Sequence, residues 1–132
     1  MLKYMLDTNI AIYVIKRRPV DAFNTFNQHA GQLCVSSITM AELLHGVEKS
    51  AKPDHNLRQV EDFMSRLSVL EYGSKAAAHY GNIRAVLERK GTPIGVTDLH
   101  IAGHSRSEGL TLVTNNLKEF DRVEGLRLEN WV

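Results

Sequence analysis

The sequence contains a single cysteine and no long hydrophobic run. Cys34 lies in the apolar segment Leu33-Cys34-Val35, and we interpret it as a small buried hydrophobic residue rather than a nucleophile. With one cysteine no intramolecular disulfide can form, which suits a reducing cytoplasm. The segment from Met1 to Asp7 lacks the long apolar region of a signal peptide, and no apolar run approaches the roughly 20 residues of a membrane span. We therefore expect a cytoplasmic protein without a membrane partner.

The net charge is close to zero, and aromatic residues are few. Sixteen Lys and Arg residues against fifteen Asp and Glu residues leave a net charge of +1, so no overall basic field attracts nucleic acid. A nucleic acid partner would have to use a local patch. Few aromatic residues are available to stack on single-stranded bases. Several of them have helical spacing typical of a core: Tyr13, Phe23, Phe26 and Tyr80.

Five short apolar runs predict β-strands, and helical patterns separate them. The runs cover residues 2–6, 33–35, 69–70, 110–113 and 126–128. The first and fourth are almost continuously apolar, as expected of parallel strands covered on both faces. No linker or repeat interrupts the chain, whose length fits one compact domain. We therefore predict a single domain, residues 1–132, with a three-layer α/β fold and a mostly parallel five-stranded sheet flanked by helices.

Capping residues and apolar spacing predict the helices. Three residues at the starts of helical patterns are candidate N-caps or helix openers: Thr8, Ser37 and Thr97. Apolar spacing alone predicts further helices around residues 21–29, 57–67 and 76–87. The helix opened by Thr97 is expected to run to about Glu108, where Gly109 ends it. A short helical turn is expected after Asn116.

Three acidic residues fall where an α/β sheet forms its binding site. Asp7 ends the first predicted strand, Glu42 lies about one turn inside the helix after the second strand, and Asp98 lies in the first turn of its helix. In open α/β sheets, ligands bind beyond the carboxyl ends of the strands. We therefore expect these acids to line one edge of the sheet, with Asn116 and Glu119 just past the fourth strand.

Clustered carboxylates are unfavourable unless a cation joins them, because like charges repel and raise one another's pKa. Oxygen ligands suit magnesium or manganese, and such an ion can lower the pKa of a bound water and neutralise charge on a phosphate. A simpler interpretation of Asp98 is that it stabilises the helix dipole. Glu42 favours the cluster, since a lone charge among apolar neighbours is costly unless it is paired or ligated. On spacing alone, both interpretations stay open.

Four segments, taken in order, resemble the motifs of the PIN-domain nucleases. They are Met5-Leu6-Asp7-Thr8-Asn9, Ser36-Ser37-Ile38-Thr39-Met40-Ala41-Glu42-Leu43, Ile94-Gly95-Val96-Thr97-Asp98-Leu99-His100-Ile101-Ala102 and Leu112-Val113-Thr114-Asn115-Asn116-Leu117-Lys118-Glu119-Phe120. Their order and spacing, the chain length and the C-terminal segment Leu126-Arg127-Leu128-Glu129-Asn130-Trp131 are similar to those of the VapC toxins of bacterial type II toxin–antitoxin pairs. The resemblance covers nearly the whole chain.

This resemblance implies a function and partners. PIN domains cut RNA with magnesium or manganese held by three or four acids, which implies Asp7, Glu42 and Asp98 as the catalytic metal ligands here. VapC toxins usually dimerise, and a cognate VapB antitoxin inhibits them by placing its C-terminal segment over the active site. Those that resemble this chain, from enteric-type bacteria, cut initiator tRNA in the anticodon loop. The implied protein is therefore a tRNA-cutting endoribonuclease toxin with a VapB-type partner.

The fourth motif departs from the family pattern. Many PIN domains carry an aspartate where this chain has Asn116, and an amide oxygen can bind a metal but adds no negative charge. Glu119 can supply that charge from one helical turn along, although a plain surface glutamate fits equally well. Thr8, Asn9 and Thr114 are expected to orient carboxylates or waters. One metal or two is left open.

Cationic side chains must hold the RNA phosphates. The candidates from the sequence are Lys16, Arg17, Arg18, His100 and Arg106. Runs of this kind are more often solvated surface than binding sites. No pair of histidines has a convincing zinc spacing, and we expect His100 or His104 to contact phosphate rather than to act as an acid or base.

Three alternatives to a ribonuclease are considered. A catalytically weak PIN-like scaffold that binds RNA or protein would have lost a core acid, and none is missing. A 5′-nuclease-like DNase shares the acid-lined plan but needs additional arch or clamp elements, for which 132 residues leave little room. A two-component receiver domain would need paired acids after the first strand and a phospho-acceptor aspartate at the third, and the chain lacks both.

Overall fold

The computed structural model describes all 132 residues and contains five strands and seven helices. The strands are β1 (Tyr4–Leu6), β2 (Leu33–Ser36), β3 (Ser68–Leu70), β4 (Thr111–Val113) and β5 (Arg127–Glu129). The helices are α1 (Thr8–Lys16), α2 (Val20–Gln28), α3 (Ser37–Glu48), α4 (Pro53–Met64), α5 (Ser74–Arg89), α6 (Val96–Ser107) and α7 (Leu117–Phe120). None of the helices has the length and apolar character needed to span a bilayer.

The sheet has β1 at its centre and the strand order β3-β2-β1-β4-β5. Met5 pairs with Cys34 on one side and with Leu112 on the other. From β1 the chain builds β2 and β3 on one side of the sheet, then crosses to build β4 and β5 on the other. Ligands bind at such a switch point, next to the carboxyl ends of the diverging strands. The five-stranded α/β fold is confirmed, and every strand pair is parallel.

Alternate residues of the strands face two separate hydrophobic cores. Leu6 and Val113 belong to the core formed with α1, α2, α3 and α4. Met5, Cys34 and Leu112 belong to the core formed with α5, α6 and α7. This alternation confirms the three layers, since a parallel sheet buried on both faces needs helices on each. Cys34 is fully buried, and burial raises the pKa of its thiol to about 12, which confirms it as an unreactive core residue.

The predicted strands are confirmed to within two residues, but the predicted helix caps are wrong. Asp7, not Thr8, caps α1, and its side chain accepts a hydrogen bond from the Ile10 N–H at 2.9 Å. Ser36, not Ser37, caps α3, and Gly95 rather than Thr97 precedes α6. Asp7 is the single residue between β1 and α1, and Ser36 is the last residue of β2 directly before α3, so in both cases the residue at the junction is the cap. This turn places Asp7 directly at the sheet edge.

Gly103 allows α5 and α6 to pack unusually closely. A Cβ atom at this position would lie 2.9 Å from the backbone N of Tyr80 and 3.1 Å from the carbonyl oxygen of Ala76. Because both are backbone atoms, neither can rotate away. We expect Gly103→Ala to lower the free energy of unfolding by about 2 kcal/mol, as in overpacked cores, measured by urea denaturation.

A matched control for Gly103→Ala is available in the same helix pair. Gly81 lies in α5, and a Cβ there meets no atom within 4 Å. Gly81→Ala should leave stability unchanged or raise it by a few tenths of a kcal/mol, because alanine is the better helix former. Equal stability of the two variants would contradict the close approach of α5 and α6.

Candidate active site

Asp7 stands at the centre of the sheet edge, directly after β1. Its side chain is 4% exposed, and burial is the main reason why its pKa is raised. Repulsion from Glu42 raises the pKa further, while hydrogen bonds from the Thr114 hydroxyl and from the backbone N–H groups of Ile10 and Asn9 lower it. The carboxylate is therefore oriented by three donors and held in a site that disfavours its charge.

Glu42 projects from α3 toward the first residue of α1. The Thr8 hydroxyl donates a hydrogen bond to a Glu42 carboxylate oxygen. The same hydroxyl lies 3.2 Å from the hydroxyl of Thr39, which is fully buried. Thr8, directly after Asp7, thus links the start of α1 to Glu42, and its role in orienting a ligand stays a prediction. The Glu42 side chain is half-buried at this position.

Asp98 and Glu119 are neighbouring carboxyl groups that shift each other's pKa. The pKa of Asp98 is raised to about 7, mainly by burial and further by the interaction with Glu119 and by repulsion from Glu119, Asp7 and Glu42. The pKa of Glu119 is instead lowered, mainly because its carboxylate accepts the Gly95 N–H at 3.0 Å. The two pKa shifts go in opposite directions, so Asp98 is the member of the pair that binds a proton more readily.

Asn116 supports Glu119 in the structure. Its side-chain amide donates a hydrogen bond to the second Glu119 oxygen at 3.1 Å. Its backbone N–H donates to the Thr114 hydroxyl at 2.9 Å, and that hydroxyl also bonds to Asp7. Glu119 thus supplies a charge to the cluster, and Asn116 holds it in place. The Asn9 side chain is exposed, and only its backbone N–H reaches Asp7.

The chemistry of the cluster fits a hard divalent cation. Asp7, Glu42, Asp98 and Glu119 are close enough to shift one another's pKa values, yet none of the chain's ion pairs involves them. Their donors are oxygen atoms alone, which magnesium and manganese prefer. No three of these side chains already converge on one point as ligands. A cation would therefore draw the carboxylates together.

The run from Lys16 to Arg18 lies at the far end of α1 from Asp7. Nine residues of helix separate the two ends, about 13 Å at the usual rise. The run borders a cleft of about 730 Å³ between α1, α2 and α4, together with Arg58 and Arg66. The Arg17 guanidinium lies 4.8 Å from the centre of the Phe23 ring. The structure thus gathers cations, but away from the carboxylates.

The other predicted phosphate contacts are engaged within the protein. The His100 ring stacks on Tyr80 with 4.2 Å between ring centres, and its Nδ1 lies 2.7 Å from the Tyr72 hydroxyl. His104 is 1% exposed, so the expectation that it contacts phosphate is wrong.

Arg106 lies in the last turn of α6, at the opposite end from Asp98. Its guanidinium donates hydrogen bonds to His79, to Asn82 and to the carbonyl oxygen of Glu124. The structure does not bring Arg106 to the carboxylates.

Sequence reasoning missed two contributors to the site. The Gly95 N–H fixes Glu119, and no side-chain pattern signals a backbone donor. Ser36 caps α3 and contacts His104, 68 residues further along the chain. A single sequence contains no direct signal for a contact between residues so far apart along the chain. The adjacent serines Ser36 and Ser37 are a visible capping signal, but the pattern does not distinguish which of the two is the cap.

Comparisons with known proteins agree with this geometry. The family model described as "PIN domain" matches residues 4–126. The chain is 63% identical to Ribonuclease VapC2 of Haemophilus influenzae over the full length of both chains. It is 53% identical to the tRNA(fMet)-specific endonuclease VapC of Shigella flexneri over 99% of each.

Solved structures show the same relationship. The structure of DNA-bound VapBC from Salmonella typhimurium superimposes with a TM-score of 0.96 at 54% identity over 100% of both chains. VapBC2 from Rickettsia felis, bound to a DNA fragment from its promoter, gives a TM-score of 0.93 at 43% identity over 99% of this chain and 100% of that one. Both structures share the fold of this chain over its whole length or nearly so. The chain therefore belongs to the PIN domain family and, within it, to the VapC ribonucleases.

Proposed function

We propose that this chain is the toxin of a type II toxin–antitoxin pair and cuts initiator tRNA in the anticodon loop, using magnesium or manganese. The observation that carries the proposal is the meeting of Asp7, Glu42, Asp98 and Glu119 at the switch point of the sheet, without a cationic ion-pair partner. The substrate is supported by relatives named tRNA(fMet)-specific endonucleases, which are 53% and 54% identical to this chain.

Each residue of the site has a defined task in this proposal. When bound, the cation would lower the pKa of a water and offset the charge that builds on the phosphate. Asp7, Glu42 and Asp98 would hold it, and Asp98, whose pKa is raised, would have to be ionised to act as a charged ligand. Thr8 orients Glu42 through its hydroxyl.

Groups around Asp7 and Glu119 keep the site in a productive geometry. Thr114 bonds both to the Asp7 carboxylate and to the Asn116 N–H, so it joins the β1 edge to the start of α7. The Asn9 backbone N–H completes the set of donors to Asp7. Such orienting groups typically change metal affinity or activity about 10- to 100-fold when removed.

A VapB-type antitoxin is the proposed protein partner. The relatives of known structure are VapBC toxin–antitoxin complexes, and their likeness to this chain supports the same pairing. We propose that the antitoxin's C-terminal segment covers the carboxylate site, that residues 1–132 form one PIN domain, and that the toxin acts as a homodimer in the cytoplasm, where its tRNA substrate is found.

The decisive experiment maps the RNA ends produced by the purified chain. Initiator tRNA is incubated with magnesium, with manganese and with EDTA, and single-stranded DNA and elongator methionine tRNA serve as controls. We expect anticodon-loop cuts in initiator tRNA only when divalent cation is present. Cleavage in EDTA would contradict the metal mechanism. Equal cleavage of both tRNAs would contradict the substrate, and cleavage of DNA alone would indicate the DNase alternative.

The basic run at the end of α1 is a proposed phosphate-binding surface. We expect Lys16→Glu and Arg18→Glu to weaken RNA binding and to reduce the slope of log affinity against log salt by about one for each phosphate that is no longer neutralised. Binding is measured by fluorescence anisotropy at several salt concentrations. Lys90→Glu makes the same change in net charge outside this cleft. Unchanged affinity and slope in the first two variants would exclude this patch.

A further inference from the structure

One buried pair of polar side chains joins two segments that are distant in sequence. The Ser36 hydroxyl oxygen lies 2.8 Å from Nδ1 of His104. Ser36 is fully buried and His104 is 1% exposed. Of the hydrogen bonds between side chains, this is the only one buried at both ends. We call it the Ser36–His104 bridge.

The bridge connects the two helices that carry Glu42 and Asp98. Ser36 ends β2 and caps α3, in which Glu42 follows six residues later. His104 lies in α6, six residues after Asp98. At the usual helical rise, each acid is about 9 Å along its own helix from the bridge. A change in the distance between Ser36 and His104 would therefore move the two acids relative to each other.

Tyr72 reinforces the same junction from the segment after β3. Its backbone N–H donates a hydrogen bond to the Ser37 hydroxyl at 3.1 Å, at the first residue of α3. Its own hydroxyl lies 2.7 Å from Nδ1 of His100, and its ring packs edge-on against that of His104 with 5.4 Å between centres. The start of α3 is thus tied to α6 at two successive turns.

The two acids need such a tie, because each repels the other. Glu42 is among the charges that raise the pKa of Asp98, and no cationic side chain forms an ion pair with either. Thr8 links Glu42 to α1, and Glu119 links Asp98 to α7. Neither contact joins α3 to α6 directly. The bridge and Tyr72 supply that connection.

We propose that Ser36 and His104 are positioning residues, which fix the separation of Glu42 and Asp98 and so set the affinity of the site for a divalent cation. The inference rests on the proposed metal site. A buried hydrogen bond whose partners cannot turn to water has few alternative geometries, because an unpaired buried group is costly. Groups that orient metal ligands typically contribute about 10- to 100-fold to affinity.

The test is binding of Mn²⁺ to metal-free protein, measured without RNA by the electron paramagnetic resonance signal of free Mn²⁺. We expect Ser36→Ala and His104→Leu each to raise the dissociation constant about tenfold or more. His104→Asn, whose amide can approach the position of Nδ1, should restore most of the affinity. The double variant should bind no more weakly than the weaker single variant, since both remove the same contact.

A neighbouring serine provides the matched control. Ser105 is also fully buried in α6, but its hydroxyl donates to the Leu110 carbonyl oxygen at 3.2 Å. Leu110 precedes β4, at the opposite edge of the sheet from the carboxylates. Ser105→Ala should therefore lower thermal stability and leave the Mn²⁺ dissociation constant unchanged.

The possible results separate the bridge from the metal site. Wild-type Mn²⁺ affinity in folded Ser36→Ala and His104→Leu would overturn the inference alone, and so would equal weakening by Ser105→Ala. His104→Leu keeps the cap of α3, so it carries the test if Ser36→Ala does not fold. Failure of the wild-type chain to bind Mn²⁺ would overturn the proposed metal site and, with it, the positioning role.

Discussion

Asp7→Asn should reduce divalent-dependent RNA cleavage by about a thousandfold or more, since it removes a ligand charge that no neighbouring group can replace. Asparagine is the informative substitution, because Asp7 has two roles. Its side chain caps α1 by accepting the Ile10 N–H, and asparagine caps a helix about as well as aspartate. The amide also removes the repulsion between Asp7 and Glu42. The folded structure should therefore persist while activity is lost.

Asp7→Ala separates the capping role from the catalytic role. It should lose activity to the same degree as Asp7→Asn and also lower the free energy of unfolding by about 1 kcal/mol, because alanine cannot cap the helix. Cleavage rates of initiator tRNA and urea denaturation report the two effects. Asp54→Asn is a control on an exposed acid of α4 that does not line the cationic cleft. Near-wild-type cleavage by Asp7→Asn would show that Asp7 is not a metal ligand.

For Asp7, the sequence was sufficient to predict the position of the residue but not its role as a helix cap. Its place after an apolar strand predicted a residue at the carboxyl edge of the sheet, and the structure confirms that position. The cap could not be assigned from the same pattern, because Asp7 and Thr8 are both good capping residues. The choice depends on whether a loop residue separates strand and helix, which only the backbone shows.

The fourth motif illustrates a second limit. The sequence left Glu119 open as either a site residue or a surface glutamate. The structure brings it to Asp98 through contacts with the Gly95 N–H and the Asn116 amide. Spacing within α7 predicted that Asn116 and Glu119 are neighbours. It could not predict Gly95, because that contact spans 24 residues and uses a backbone donor.

The cationic candidates were the least predictable from sequence. Arg106 lies close to the third motif in the chain, yet its helix carries it to the other end of α6, where His79 and Asn82 bind it. Lys16 to Arg18 form a compact run, and the fold adds Arg58 and Arg66 from α4 to the same cleft. Charge along a sequence does not specify which cations share a surface, because that depends on how the helices pack.

Asp98→Asn should abolish divalent-dependent cleavage and also stabilise the metal-free protein at neutral to alkaline pH. Burial, followed by the influence of Glu119, raises the pKa of Asp98 from 3.8 to about 7 in the folded chain. Between these values the folded state binds a proton that the unfolded state has released, so the free energy of unfolding falls as the pH rises. Asparagine cannot ionise, so this loss should disappear in the variant.

The comparison between two pH values isolates that carboxyl group. Near pH 5, little more than a third of the interval between the two pKa values has been crossed, so the variant should be more stable than the wild type by only a few tenths of a kcal/mol. Near pH 8, where Asp98 must ionise among like charges, the variant should be more stable by about 1 kcal/mol, a value reduced for partial exposure to solvent. The pKa of Glu119 is lowered, so it titrates below this window.

Urea denaturation in EDTA measures the stability difference between wild type and Asp98→Asn at each pH. At pH 8, added Mn²⁺ should make the wild type the more stable of the two. A cation that binds only the folded state stabilises it by mass action, so Mn²⁺ should stabilise the wild type at pH 8 and have little effect on Asp98→Asn. A stability difference that is the same at both pH values would show that Asp98 is not the titrating group. A gain in stability together with full cleavage activity would separate the charge of Asp98 from catalysis. The expected combination, a more stable but inactive variant, follows because the repulsion that destabilises the metal-free site is the same feature that favours a divalent cation.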